Sequence, residues 1–133
     1  MSTEQVELAR ETFHAFRTNG VEAALPFLAL DVVWYTTDRW IEESAYHGHD
    51  GIRRLNAAFD ENFDDWTYEV HDFRDAQDCV VVRAEMIGRI KNSGQGISQP
   101  LGLVVSRFGP GTIGEIRAFA NWQQALEAAG LEG

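Results

Sequence analysis

Asp38 is a carboxylate well placed in the sequence to move a proton. It follows a β-branched and aromatic run, Asp31-Val-Val-Trp-Tyr-Thr-Thr37, and is flanked by Arg39 and Trp40. A carboxylate held against aromatic surface has its pKa raised towards the range a general acid or base needs. The competing reading is a solvated loop aspartate, because Thr37-Asp38 is ordinary turn composition. Trp34, Trp40 and Tyr46 gather around the same segment, each an apolar body with one polar atom. Such side chains stack on a flat ligand and donate a single hydrogen bond, although core packing explains Trp34 equally well. Asn56, beside Leu55 and Phe59, and Ser106 on a later strand carry polar groups that need a partner, either ligand or backbone.

Other reactive residue types lack a supporting pattern. His47-x-His49-Asp50 offers three metal-ligating side chains, but at a glycine-flanked turn and without a distant partner of matching context. His14 falls on the polar side of the first helix, and His71 lies on a strand whose other face carries Tyr68 and Val70. No metal site is expected. Cys79 opens the apolar run Cys79-Val80-Val81-Val82 and reads as a small hydrophobe. Nucleophile-elbow and phosphate-loop glycine patterns are both missing, so neither a catalytic triad nor a nucleotide cofactor is implied. No cofactor of any kind is expected.

The elements that must position these groups follow from hydrophobic spacing. Val6, Ala9, Phe13 and Phe16 recur at helical intervals until Asn19-Gly20, and Ser2-x-x-Gln5 has capping-box spacing. A shorter second helix over Val21 to Leu28 is strained by Pro26, which removes a backbone donor. Asp31 to Thr37 is the first strand, and Asp38 to His49, which has no clean period, is a loop. Gly48-His-Asp-Gly51 opens a third helix with Ile52, Leu55, Phe59 and Phe63 on one face. From Trp66 the period becomes two. Four strands are expected, Trp66 to Asp75, Cys79 to Lys91, Ile97 to Phe108 and Ile113 to Asn121, with turns at Asn92-Ser-Gly94 and Gly109-Pro-Gly111. Asn121 caps a closing helix that Gly130 ends. Helices early and an antiparallel meander late define an α+β class.

The 133 residues fit one domain, 1–133, with a core sufficient without disulfides. A formal net charge of −10 argues against nucleic acid and against anionic membrane surfaces as partners. With a lone cysteine, no leader and no apolar run of spanning length, a cytoplasmic location is expected.

The order of elements, the Asp31-Val-Val-Trp34 strand, Gly48-His-Asp-Gly-Ile52 and Gly111-Thr-Ile-Gly-Glu-Ile116 leading to Ala125-Leu-Glu-Ala-Ala-Gly-Leu131 resemble the SnoaL-like, polyketide-cyclase-like branch of the nuclear transport factor 2-like superfamily. The resemblance covers nearly the whole chain. It implies a cone-shaped barrel of strongly curved, mostly antiparallel sheet wrapped around the N-terminal helices, with a deep apolar pocket and a homodimer through the outer sheet face. Matching strands by their turns puts Val82, Ala84 and Met86 on the pocket side, with Gly102, Val104 and Ser106 and then Ile116, Ala118 and Ala120 from the next two strands. Arg83, Glu85, Arg117 and Phe119 then face outward.

The catalytic sets of the superfamily do not transfer. Where its ketosteroid isomerases place a tyrosine, a protonated aspartate and a basic aspartate, this chain has Phe13, Val104 and Thr36 or, with a small loop shift, Asp38. Its epoxide hydrolases use an aspartate where Ala118 stands, and Arg83-x-Glu85 matches their Arg-x-Asp pair only if the strand is turned over. Asp38 is then the remaining acid/base candidate. The expected function is binding of a small, largely apolar organic molecule in a pocket that includes Phe13, Trp34, Trp40, Tyr46, Asn56 and Phe59. Cofactor-free isomerisation, cyclisation, dehydration or hydrolysis is the catalytic version. A non-catalytic ligand-binding or dimeric assembly module is the alternative.

Overall fold

The computed structural model describes residues 2–36 and 45–131. The helix α1 spans Ser2–Asn19, and its chain turns at Gly20, whose φ of 88° is open to glycine without strain. The short helix α2, Val21–Ala24, tightens into a single 3₁₀ turn, Leu25–Phe27. Pro26 fits there because an early helical position has no hydrogen bond for its missing N–H to lose. Next come strands β1, Leu28–Tyr35, and β2, Ala45–His47, then helix α3, Gly48–Asn62. Four long strands follow: β3 (Phe63–Asp75), β4 (Cys79–Ile90), β5 (Gly96–Ser106) and β6 (Ile113–Phe119). Helix α4, Trp122–Ala128, completes the order.

The six strands make one curled sheet in the order β2-β1-β6-β5-β4-β3, which does not close on itself. Among the described residues only the β1–β6 pairing is parallel. Edge strand β3 carries two register shifts, between Asp64 and Thr67 and between Val70 and Asp72. Bulges of this kind twist an exposed edge away from pairing with another chain. Helices α1 and α3 pack into the concave face, where Val80, Val82, Ala84 and Met86 alternate inward along β4 and are all buried.

The convex face has a smaller apolar cluster of Cys79, Val81, Val104, Ala125 and Leu126 beneath α4. Asn121 caps that helix, its Oδ1 accepting from the Gln124 N–H at 2.9 Å. At the other end Leu131 N–H reaches Leu126 O at 2.8 Å and Gly130 N–H reaches Glu127 O at 3.1 Å, with Gly130 at φ 77°. That is a Schellman termination. Gly102 is required beneath the helix: a Cβ there would lie 2.5 Å from both Ala125 Cβ and Asn121 O.

Several expectations need correction. The first strand starts at Leu28 rather than Asp31, and the segment read as loop to His49 contains β2. Three residues are too few to show a period, and β2 is defined only by its antiparallel pairing, Val33 with His47 and Tyr35 with Ala45. Gly102, Val104 and Ser106 face outward, not into the concave side. Pairing of Val82 with Leu103 and of Ala84 with Leu101 aligns Leu101, Leu103 and Val105 with the inner face instead. A slip of one residue exchanges the faces of a strand. The sequence Leu101-Gly-Leu-Val-Val105 conceals that choice, because α4 buries its outer side and the polar alternation is lost. Ala120 lies beyond the end of β6 in an exposed bend, its N–H donating to Gln124 Oε1 at 3.3 Å.

Candidate functional site

An apolar cavity of about 50 Å³ lies between the helices and the concave face. Its wall is built from six elements. The first helix contributes Thr12, Phe13 and Phe16, one helical turn of its inner face, and α2 adds Val21 and Ala24. Helix α3 contributes Ile52, Leu55 and Asn56. From the sheet come Leu28 and Trp34 of β1, Trp66 and Tyr68 of β3, and Ile116 of β6. All the surface these residues turn to the cavity is apolar.

Aromatic rings fix its shape. Trp34 stacks on Tyr68 with centroids 6.1 Å apart and planes 24° from parallel, while Phe13 meets Tyr68 edge-on at 6.2 Å and 87°. Phe59 and Phe16 lie against Trp66 at 4.8 and 5.4 Å. These are offset and edge-to-face distances at which ring quadrupoles attract.

Three polar side-chain atoms of the wall residues are engaged with protein. Thr12 Oγ1 donates to Leu8 O at 2.7 Å. Asp60 organises two others: its Oδ1 accepts from Trp66 Nε1 at 2.7 Å and its Oδ2 from Asn56 Nδ2 at 3.3 Å. Asp60 thereby locks the Trp66 ring and turns the Asn56 amide towards its own helix rather than the cavity. No carboxylate, imidazole, thiol or amine borders the cavity among the described residues.

Of the residues singled out from sequence, Phe13, Trp34, Asn56 and Ile116 border this cavity. Tyr46, Phe59, Val82, Ala84, Met86 and Ala118 belong to the same buried cluster but do not border it. The outward-facing Val104 sits under α4 and Ser106 lies 3.5 Å from Glu115 Oε2. Asp38 and Trp40 lie outside the described residues. His49 Nε2 is 2.9 Å from Leu28 O, a contact that ties the start of α3 to β1 and needs the Nε2–H tautomer. Asp50 accepts from Arg53 at 2.9 Å, and Arg53 also grips Glu22 of α2 at 2.7 and 3.0 Å. The hydrogen bond from Arg53 holds the Glu22 carboxyl below the ordinary carboxylate range. Cys79 is buried on the far side of the sheet, and that burial pushes its thiol pKa up.

Trp66, Tyr68 and Phe16 were not among the sequence candidates. The signal for the first two was present, since Trp66-x-Tyr68 has strand spacing, but periodicity alone does not tell which face meets a cavity.

A six-stranded curled sheet with helices in its concavity, enclosing an apolar space, is the nuclear transport factor 2-like architecture. The SnoaL-like domain family matches residues 9–116, and the chain belongs to that family. No curated protein sequence matches it significantly. Among solved structures it is similar to a nuclear transport factor 2-like protein of unknown function from Burkholderia pseudomallei, with a TM-score of 0.76, 18% identity, and coverage of 92% of this chain and 95% of that one. It is similar also to a candidate SnoaL-like polyketide cyclase from Jannaschia (TM-score 0.72, 19% identity, 96% and 92% coverage). A protein from Mycobacterium tuberculosis in complex with estradiol-17β-hemisuccinate gives a TM-score of 0.69 at 14% identity, covering 88% of this chain and 93% of that one. At such identities the likeness establishes the fold. No described helix is long and apolar enough to cross a membrane.

Proposed function

We propose that this chain binds a small, largely apolar organic molecule in the cavity between α1, α3 and the concave face, and that Asp38 serves as acid/base in cofactor-free proton transfer. The observation that carries the binding reading is the wall itself: aromatic rings from three elements around a space whose exposed surface is apolar. A fold relative in complex with a steroid ester supports the same class of ligand. The cavity is far smaller than the ~300–1,000 Å³ typical of sites for drug-sized ligands. Entry of a ring system therefore requires the wall to give, and half-exposed Phe16 is the aromatic side chain placed to move.

Chain connectivity supports Asp38 as the proton carrier. It stands four positions after Trp34, which limits their Cα atoms to about 14 Å apart. Apolar walls exclude water from the reacting centre and favour a carboxylate of raised pKa, the condition for general-base work near neutrality. The non-catalytic reading is favoured by one specific observation: the described wall holds no carboxylate or imidazole of its own.

Two variants separate these readings. Leu55→Trp fills the cavity, and titration of native tryptophan fluorescence with estradiol and 1-naphthol is expected to show at least about tenfold weaker binding in it than in the wild type, a loss of ~1.4 kcal/mol or more. Equal affinity in both would remove the cavity from the account. Asp38→Asn is expected to retain ligand while losing turnover by about a hundredfold or more, the usual scale of a lost acid/base group. Retained turnover leaves the binding reading alone.

A further inference from the structure

On the convex face, three side chains outside that cavity converge. Glu69 and His71 of β3 and Glu85 of β4 each present one ligand atom, all lying within 4.8 Å of one another. His71 Nε2 is 2.9 Å from Glu85 Oε1 and 3.9 Å from Glu69 Oε1. The strand geometry assembles them. Glu69 is directly opposite Glu85, and the register shift between Val70 and Asp72 leaves His71 as the extra residue of a bulge, free of the ladder and beside the two carboxylates. Ser98 of β5, one strand further on, donates to Glu85 Oε2 and leaves Oε1 facing the histidine.

We propose that Glu69, His71 and Glu85 bind a divalent transition-metal ion, with zinc as the reference case. Three physical points carry it. Directly opposed like charges across two strands are destabilising, so a cation between Glu69 and Glu85 would relieve their repulsion. Two ligands each ~2.1 Å from a shared zinc ion are separated by at most ~4.2 Å. The 2.9 and 3.9 Å contacts of His71 fall inside that limit, and the two carboxylates, within 4.8 Å of each other, reach it with a side-chain adjustment of about half an ångström. An imidazole with two carboxylates neutralises a doubly charged ion and leaves coordination positions open to water. The hydrogen bond from Ser98 fixes the Glu85 carboxylate as an outer partner does in built sites. Access is not obstructed, the three side chains being 28–40% exposed. This site is distinct from the His47-x-His49-Asp50 motif, whose His49 and Asp50 are engaged with Leu28 and Arg53.

The test is calorimetric titration of chelator-treated full-length protein with zinc chloride, joined by the visible spectrum of the cobalt-substituted form. One ion per chain is expected. His71→Ala and Glu85→Gln should each weaken binding by at least about tenfold, while His47→Ala/His49→Ala leaves it unchanged. Thermal melts without metal show whether each variant is folded, and the cobalt spectrum should lose its ligand-field bands in folded His71→Ala. Absence of binding at about a tenfold excess of zinc would overturn the proposal. So would binding that survives His71→Ala or disappears with the His47/His49 pair.

Discussion

The two faces of β4 differ in what they can do, although they are made by alternate residues of one strand. Inward, Val80, Val82, Ala84 and Met86 are buried and uncharged, and the cavity on that side of the sheet, which other elements line, is bordered by no proton carrier among the described residues. Outward, Cys79 and Val81 are covered by α4, but Arg83 and Glu85 emerge beyond its edge into a charged, water-accessible surface. The concave side provides shape without charge and the convex side provides charge without enclosure. In a curled sheet, apolar recognition and ion chemistry are separated by one residue of register. Moving a residue by one place exchanges these roles.

The strongest way to break the contrast is on the inner face. Leu103→Ala, at a position with no exposure, is expected to cost about 2–5 kcal/mol in chemical denaturation. Arg83→Ala, one place along β4 from Val82, the cross-strand partner of Leu103, lies on the exposed side and should cost no more than ~0.5 kcal/mol. Equal costs would mean that the β4–β5 register differs from the one described. Gly102→Ala tests the covered part of the convex face. With 2.5 Å from its Cβ to Ala125 Cβ and Asn121 O, α4 must shift, at about 1–3 kcal/mol. Cys79 reports on the same cover: its buried, high-pKa thiol should react with a thiol reagent at pH 8 about a hundredfold more slowly in the native chain than in denaturant. A smaller change is expected from Asn121→Ala, which removes the cap of α4 for about 1 kcal/mol.

The smallest effect is the pH dependence of the charged surface. Hydrogen bonds from Ser98 and then His71 hold the Glu85 carboxyl below its ordinary value of 4.5, and Arg53 does the same for Glu22. Folding favours the ionised form of both. Their contribution is therefore complete above pH 4.5 and is lost as pH falls through the lowered native values. Both are solvent-facing, so acid melts of Glu85→Gln should differ from wild type only slightly, in the direction of a flatter decline below pH 4.5.

How much was legible in the sequence follows the same division. The four-strand meander and both ends of α4 could be read, because turn and cap residues act locally: Asn121 accepts its own helix N–H, and Gly130 takes the left-handed turn. The facing of β5 could not. Apolar residues on both sides of Leu101–Val105 erase the alternation that would have fixed it, and the covering helix is remote in sequence. The three-residue β2 exists only through its partner strand. At the cavity, Phe13, Trp34, Asn56 and Ile116 were identified, but Trp66 and Tyr68 were missed, because the Asp60 contact that turns Trp66 into the wall is tertiary. His71 was read as one strand residue among others, since a bulge and a residue on the next strand bring its carboxylate partners to it.

The measurement that bears most directly on the proposed function is a methyl-labelled NMR titration with 1-naphthol. Methyl groups of Ile52, Leu55 and Ile116 border the cavity, whereas those of Val81 and Val104 lie beneath α4 across the sheet. Ligand in the cavity should shift the first group with a single saturating curve and leave the second in place. Shifts confined to Val81 and Val104, or none at saturation, would contradict binding on the concave face.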